Sequence, residues 1–265
     1  MTTFTITQSS LTKPSVAYID FASTPLAKWY SGDYALVVDN LLTPEECENL
    51  ITLAESTESE DGKGWQPAKL QRGPVLGDQV LDTSYRFNDR ILRFDHDAAR
   101  QIYERVLPVV EKDIGVIQQG SRWGRIVGED SGGIRVQGTW KLVGLNERLS
   151  FLRYGPGHFF KEHFDGRLDL PDGRKSRVTI QVYLNGSDTS TLEGGATRFY
   201  EPGYWKPKGL DTKIEFQPRC VDVAPKTGRA LIFQQKGLYH SGEMVNKGLK
   251  YTMRTDFMFE QTDST

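Results

Sequence analysis

The chain holds four histidines, at positions 96, 158, 163 and 240. Two of them stand five residues apart in "HFFKEHFDG" (158–166), and Asp165 follows His163 by two. On an extended strand, residues two apart project to the same face. His163 and Asp165 therefore offer an imidazole and a carboxylate side by side, with Phe164 opposite. His240, in "ALIFQQKGLYHSGEMV" after an apolar run and a turn, is the third candidate ligand. Two histidines and one carboxylate leave three coordination positions open, which suits a non-haem Fe(II) centre. Zinc is the alternative reading. A structural zinc wants four protein ligands, and a catalytic zinc wants a base nearby. His158 lies an odd number of residues from His163 and faces away in a regular ladder, toward a structural or rim role. His96, between Asp95 and Asp97, reads as a capping or surface histidine at a helix start.

The candidate ligands need strands to hold them, and from 134 onward the chain supplies them. Short β-rich runs recur between Gly and Pro: "IRVQGTW", "RLSFLRY", "VTIQVYLN", "TRFY", "VDVAP", "RALIFQQ" and "KYTMRTDFMF". Many short strands with turn signals predict a sandwich or barrel. The first half reads differently. "YALVVDNLLTPEECENLITLAES" predicts a strand and then a helix, with Thr43 as cap, Pro44 at the first position and Glu46 completing a capping box. "DHDAARQIYERVLPVVEKDIG" carries helical spacing through Ile102, Val106, Val109 and Val110, with Pro108 as a kink or stop. Between them, "TESEDGKGWQPAKLQRGPVLGDQ" reads as a long loop, the kind that forms lids and binding segments. "SYRFNDRILRF" alternates as one strand, with Arg86, Asn88 and Arg90 on one side. Residues 1–33 show little periodicity and read as a surface wrap. No repeat and no clean linker separates the halves. The expectation is one domain over 1–265: a helical and lid region (1–147) buttressing a β core (148–260).

Bulk properties exclude several partners. There are 33 basic and 35 acidic residues, for a net charge of −2, and no block of like charge. Nothing calls for nucleic acid or an anionic membrane. Two cysteines, Cys47 and Cys220, do not make a disulfide framework and point to a reducing compartment. The N-terminal stretch lacks a basic start and apolar core, and no apolar run reaches membrane-spanning length. The expectation is a cytoplasmic protein.

Five motifs in order make the metal reading more specific. Tyr154 precedes His163 and Asp165, "YLN" follows at 183–185, and "EGGATRF" at 193–199. "PKTGRALIF" at 225–233 then leads to His240, with Lys250 ten residues beyond. With the opening "VVDNLLTPEECENLI", this resembles the prolyl 4-hydroxylase-like branch of the 2-oxoglutarate/Fe(II) dioxygenases, over roughly 34–56 and 148–259. It is also similar to fungal members of that family, some encoded near biosynthetic genes. The resemblance implies a double-stranded β-helix, or jelly roll, with iron in one mouth held by His163, Asp165 and His240. It implies Lys250 on the distal carboxylate of 2-oxoglutarate, with Tyr183 donating to it and Tyr154 nearby. It implies oxidation of an unactivated C–H bond with Fe(II), 2-oxoglutarate and O2, releasing succinate and CO2. Hydroxylation, desaturation and ring closure all fit. No protein acid or base is required, and no Ser-His-Asp or paired-carboxylate pattern is present.

Arg254 stands four residues past Lys250 on the same face, roughly 13 Å along a strand. One distal carboxylate hardly meets both. Arg254 therefore falls nearer the metal, against the C1 carboxylate, a substrate carboxylate or Asp256; the two cations can also exchange roles. Arg86, Asn88, Arg90 and Trp65 are candidates to close over a small polar substrate. The expected substrate is a small metabolite, an amino acid or a similar carboxylate. A prolyl-type protein hydroxylase is the second reading, and a zinc-binding module or hydrolase the third.

Overall fold

The computed structural model describes residues 3–6, 13–59, 62–71, 79–118, 120–128, 138–188, 191–202 and 219–262. Two antiparallel sheets face each other in a jelly roll. The ten-stranded sheet runs, in spatial order, Ser15–Tyr18, Ala35–Asp39, Ala230–Gln234, Lys175–Tyr183, Lys250–Thr262, Arg148–Tyr154, Asp89–Phe94 and Gln66–Pro67. Thr139–Leu145 also pairs with the far end of Lys250–Thr262 and carries Val116–Ile117 on its other edge. The smaller sheet runs Cys220–Val223, Thr197–Tyr200, His240–Gly242, Phe159–His163 and Arg86–Phe87.

Period-two alternation sorts the large sheet's faces. Val178, Ile180 and Val182 join Met253, Phe257, Phe151 and Ile91 in the core that the helices cover. The helix His96–Ile114 packs there through Ile102, Val106, Val110 and Ile114, and Pro44–Glu55 through Cys47, Leu50 and Leu53. The intervening residues Thr179, Gln181, Thr252, Arg254 and Asp256 turn to the other face, toward the smaller sheet. An apolar patch there, built from Tyr183, Phe199, Leu231 and Phe233, closes the space between the sheets.

The first helix starts as expected. Thr43 Oγ1 accepts from the Glu46 amide at 3.1 Å, and Glu46 Oε2 from the Thr43 amide at 2.9 Å. The second helix does not stop at Pro108 but continues to Ile114. The buried stripe on either side of the proline outweighs the lost hydrogen bond, a cost of about 3 kcal/mol. The segment after Ser56 is not a plain loop. Gln66–Pro67 extends the large sheet, and Leu70–Gln71 pairs with Gln79–Val80. "SYRFNDRILRF" is not one strand either: Arg86–Phe87 belongs to the small sheet and Asp89–Phe94 to the large one. Residues 134–137 of "IRVQGTW" lie outside the described residues. Among the described residues, no helix is long and apolar enough to cross a membrane.

Candidate metal centre and its cavity

His163 ends its strand, and its Cα partner on the neighbouring strand is His240. The backbone thereby brings together two residues that are far apart in sequence. Asp165 lies two residues past His163, beyond the strand end. Exposed Phe164 points out, and Asp165 points in, where its side chain is 8% exposed. The ligand atoms of His163, Asp165 and His240 all lie within 4.8 Å of one another. His163 Nε2 is 3.7 Å from Asp165 Oδ1, and His240 Nε2 is 3.9 Å from Asp165 Oδ2.

Both imidazoles are oriented the same way. His163 Nδ1 lies 2.8 Å from the Lys161 carbonyl and His240 Nδ1 3.0 Å from the Leu238 carbonyl. A carbonyl only accepts, so Nδ1 carries the proton and each Nε2 presents a lone pair to the cluster. Burial pushes the His163 pKa down to about 3, helped by His240, and burial lowers His240 as well. Burial alone would raise Asp165, but Arg254, the two histidines and the Thr179 hydroxyl hold its carboxyl well below the usual range. At neutral pH the three groups are thus two neutral imidazoles and a carboxylate. That donor set fits a divalent transition metal without further deprotonation.

Thr179, Gln235 and Phe160, which the sequence reading did not single out, join Arg254 and Asp256 in holding this cluster. Thr179 donates to Asp165 Oδ2 at 2.6 Å, and Arg254 Nη2 lies 3.2 Å from Asp165 Oδ1. Arg254 also reaches Asp256 at 3.2 Å, and Gln235 donates to Asp256 at 2.9 Å. The Phe160 ring stacks on His163 with centroids 3.7 Å apart. The sequence carried a signal for Thr179: "VTIQVY" alternates apolar and polar residues, which marks a polar inward face.

Lys250 and Arg254 line one cavity with the metal cluster, together with Tyr154, Arg86 and Arg90. Lys250 is 2% exposed, and its ammonium lies 4.9 Å from the Tyr154 ring and 5.6 Å from the Tyr183 ring. Burial lowers its pKa to about 7. Among the described residues, no carboxylate pairs with it and no hydrogen bond engages its ammonium. Tyr183 is wholly buried and donates to Thr197 Oγ1 at 2.7 Å. Gln181 donates to the same oxygen at 3.0 Å, and Thr197 lines the cavity.

Other candidates fall elsewhere. Asn88 is buried behind Arg86 and accepts its Nε–H at 2.8 Å. Trp65 is not brought to the cavity: it packs on Tyr251, on the helix-side face, and donates to Glu55 at 2.9 Å. His158 packs against Phe87 and stays out of the cluster, and the His96 side chain is 83% exposed at its helix start.

The family model of the 2OG-Fe(II) oxygenase superfamily matches residues 149–257. No curated protein matches the chain. The fold is similar to that of a Pseudomonas putida prolyl-4-hydroxylase, with a TM-score of 0.50 at 13% identity over 92% of this chain and 96% of that one. Also similar are a viral collagen prolyl hydroxylase from Paramecium Bursaria Chlorella virus-1 (TM-score 0.46, 15% identity, 86% and 97% covered) and a non-heme alpha ketoglutarate dependent epimerase from nogalamycin biosynthesis (TM-score 0.47, 13% identity, 89% and 82% covered). The matched segment carries the His–Asp–His cluster inside a jelly roll. Residues 149–257 are accordingly similar to the 2OG-Fe(II) oxygenase superfamily, an oxidoreductase class that works with Fe(II), 2-oxoglutarate and O2, and they hold the three candidate ligands for such a metal.

Proposed function

We propose that this chain oxidises an unactivated C–H bond of a small metabolite, an amino acid or a similar carboxylate, by hydroxylation or a related ring closure or desaturation. His163, Asp165 and His240 hold the metal. Lys250 holds the distal carboxylate of 2-oxoglutarate, flanked by Tyr154. Tyr183 acts through Thr197, which lines the cavity. The observation that carries the reading is the pairing of two features in one cavity. One is a pre-oriented set of two neutral imidazoles and a carboxylate; the other is a buried ammonium lying near two aromatic rings.

When bound, Fe(II) with 2-oxoglutarate and O2 supplies the oxidising power, with succinate and CO2 released. The chain's own residues bind, orient and exclude water. Lys250 attracts a carboxylate to a dry end of the cavity, where a charge-assisted hydrogen bond is strong. Arg254 and Thr179 fix the Asp165 carboxylate, one oxygen each. Phe160 on one side and Phe233 on the other shield the histidines, with ring centroids 3.7 Å from His163 and 4.8 Å from His240. The helical region 1–147 and the core 148–260 work as one domain, a reading supported by two apolar clusters to which both contribute.

The test is anaerobic loading with Fe(II) and 2-oxoglutarate, followed by O2. A visible charge-transfer band on loading and succinate release on oxygenation are expected. Absence of both in the wild-type protein sinks the reading. Succinate release stimulated by peptides alone transfers it to a protein substrate.

A further inference from the structure

The cavity contains more positive charge than a metal and 2-oxoglutarate require, and two of its cations, Lys250 and Arg86, have no carboxylate partner among the described residues. Arg254 is committed, since its Nη2 already meets Asp165, Asp256 and Thr179. Lys250 lies deeper, between Tyr154 and Tyr183. Arg90 donates to the Lys69 carbonyl at 3.4 Å and to Gln79 at 3.3 Å.

Arg86 differs from all three. Its Nε–H is used by Asn88, and its Cζ sits 4.5 Å from the Phe160 ring centroid. Among the described residues, no carboxylate forms an ion pair with it, and its two terminal nitrogens have no hydrogen-bond partner. Burial lowers its pKa to about 10, with Arg90 and Arg254 adding repulsion, so it stays charged at neutral pH. Asn88, itself buried, and the Phe160 ring together hold the guanidinium in place, and Arg86 lines the cavity with its terminal nitrogens uncommitted. Phe160 in turn stacks on His163. A guanidinium held this way presents two parallel N–H donors, the geometry that matches a carboxylate or a phosphate.

We infer that Arg86 is the specificity-determining anchor of the substrate, and that the substrate is a small oxyanion, a carboxylate or phosphate, gripped bidentately one aromatic ring away from His163. This rests on the oxygenase reading above and deepens it. Arg254, by contrast, is a positioning residue for Asp165 rather than a substrate contact. Anchoring the anion at Arg86 leaves the remainder of the molecule to reach the metal, and so sets which C–H bond is presented.

The experiment uses protein loaded anaerobically with Fe(II) and 2-oxoglutarate. It is titrated calorimetrically with free L-amino acids, small dicarboxylic acids and inorganic phosphate, and with methyl esters of the same carboxylic acids. Fe(II) and 2-oxoglutarate binding by the wild type is scored first, and its failure removes the parent reading rather than the anchor. With loading intact, at least one acid or phosphate is expected to bind, and an acid to bind at least ~10-fold tighter than its ester, as a charge-assisted pair requires. In Arg86→Gln the acid-to-ester affinity ratio falls toward one, or phosphate binding is lost. Arg86→Lys restores only part of the preference, because an ammonium lacks the two parallel donors. General damage to the fold lowers acid and ester together and leaves their ratio alone. An unchanged ratio in Arg86→Gln, esters bound as well as acids, or a loaded wild type that binds none of the probes overturns the inference.

Discussion

At the scale of single residues, two features have measurable consequences. The first is the ligand set. His163→Ala removes one of three converging ligands and is expected to abolish stoichiometric Fe(II) binding, read by metal analysis after gel filtration, while the circular dichroism spectrum stays that of the wild type. Full iron occupancy in that variant ends the assignment. The second is Lys250. Its pKa is lowered to about 7 by burial, so the free protein loses this charge as pH rises past neutrality. A bound carboxylate favours the charged form, so 2-oxoglutarate binding takes up a proton. Affinity for 2-oxoglutarate should therefore fall as pH climbs above about 7, and calorimetry in buffers of different ionisation enthalpy should show the proton uptake. The same shift has a stability sign. The folded pKa lies below the unfolded one, so the penalty is full below about 7 and is relieved as pH rises toward the ordinary lysine value. Lys250→Ala removes the pair and should raise the 2-oxoglutarate dissociation constant about 10- to 150-fold. If Arg254→Ala alone has that effect, the two cations have exchanged roles.

At the scale of elements, strand Lys175–Tyr183 and the glycine hairpin after 193 act at a distance from the chemistry. Thr179 reaches Asp165 because it lies on the inward face of its strand, between Val178 and Ile180, which face the helices. Thr179→Val keeps the shape and deletes the hydrogen bond. Metal affinity is expected to drop about 10- to 100-fold, the usual effect of removing a partner of a metal ligand. An unchanged Fe(II) titration would show that Arg254 alone orients the carboxylate. Gly195 has φ +72°, and a Cβ there would stand 2.9 Å from Lys250 Cδ. The hairpin must therefore be glycine where it passes over the lysine stem. Gly195→Ala should displace Lys250 and weaken 2-oxoglutarate more than it weakens Fe(II). Equal losses of both would mean that the hairpin supports the site as a whole and not the lysine in particular.

For the whole molecule, the centre links the two sheets. His163 and His240 come from the small sheet, and Thr179 and Arg254, which hold Asp165, come from the large one. Ligands that bind only the folded state stabilise it by mass action, about 2.7 kcal/mol at a hundredfold excess over the dissociation constant. For a chain of this size that corresponds to a rise in Tm of about 5–10 °C. Anaerobic Fe(II) with 2-oxoglutarate should produce such a rise in the wild type and none in Asp165→Ala. A matching shift in that variant would place the ions elsewhere on the protein.

Much of this was legible in local sequence. The capping box at Thr43, the alternation of Lys250 and Arg254 on one strand face, and the two-residue spacing of His163 and Asp165 all follow from backbone periodicity, which depends only on neighbours in the chain. Periodicity tells which side chains share a face but not which faces meet. That Asp165 turns inward past the end of its strand and that Arg254 is claimed by it depend on pairing between distant segments. So does the division of Arg86 and Arg90 between two sheets. Trp65 could be read as a lid residue from its Gly- and Pro-rich surroundings, yet the pairing of Gln66–Pro67 with Asp89–Arg90 turns it onto Tyr251, away from the cavity. The residue types and their order determined the chemistry this chain can support. The register of strands far apart in sequence decided which cations line the cavity and which of them are paired, because a side chain's partners are set by where long-range hydrogen-bonded pairing places it.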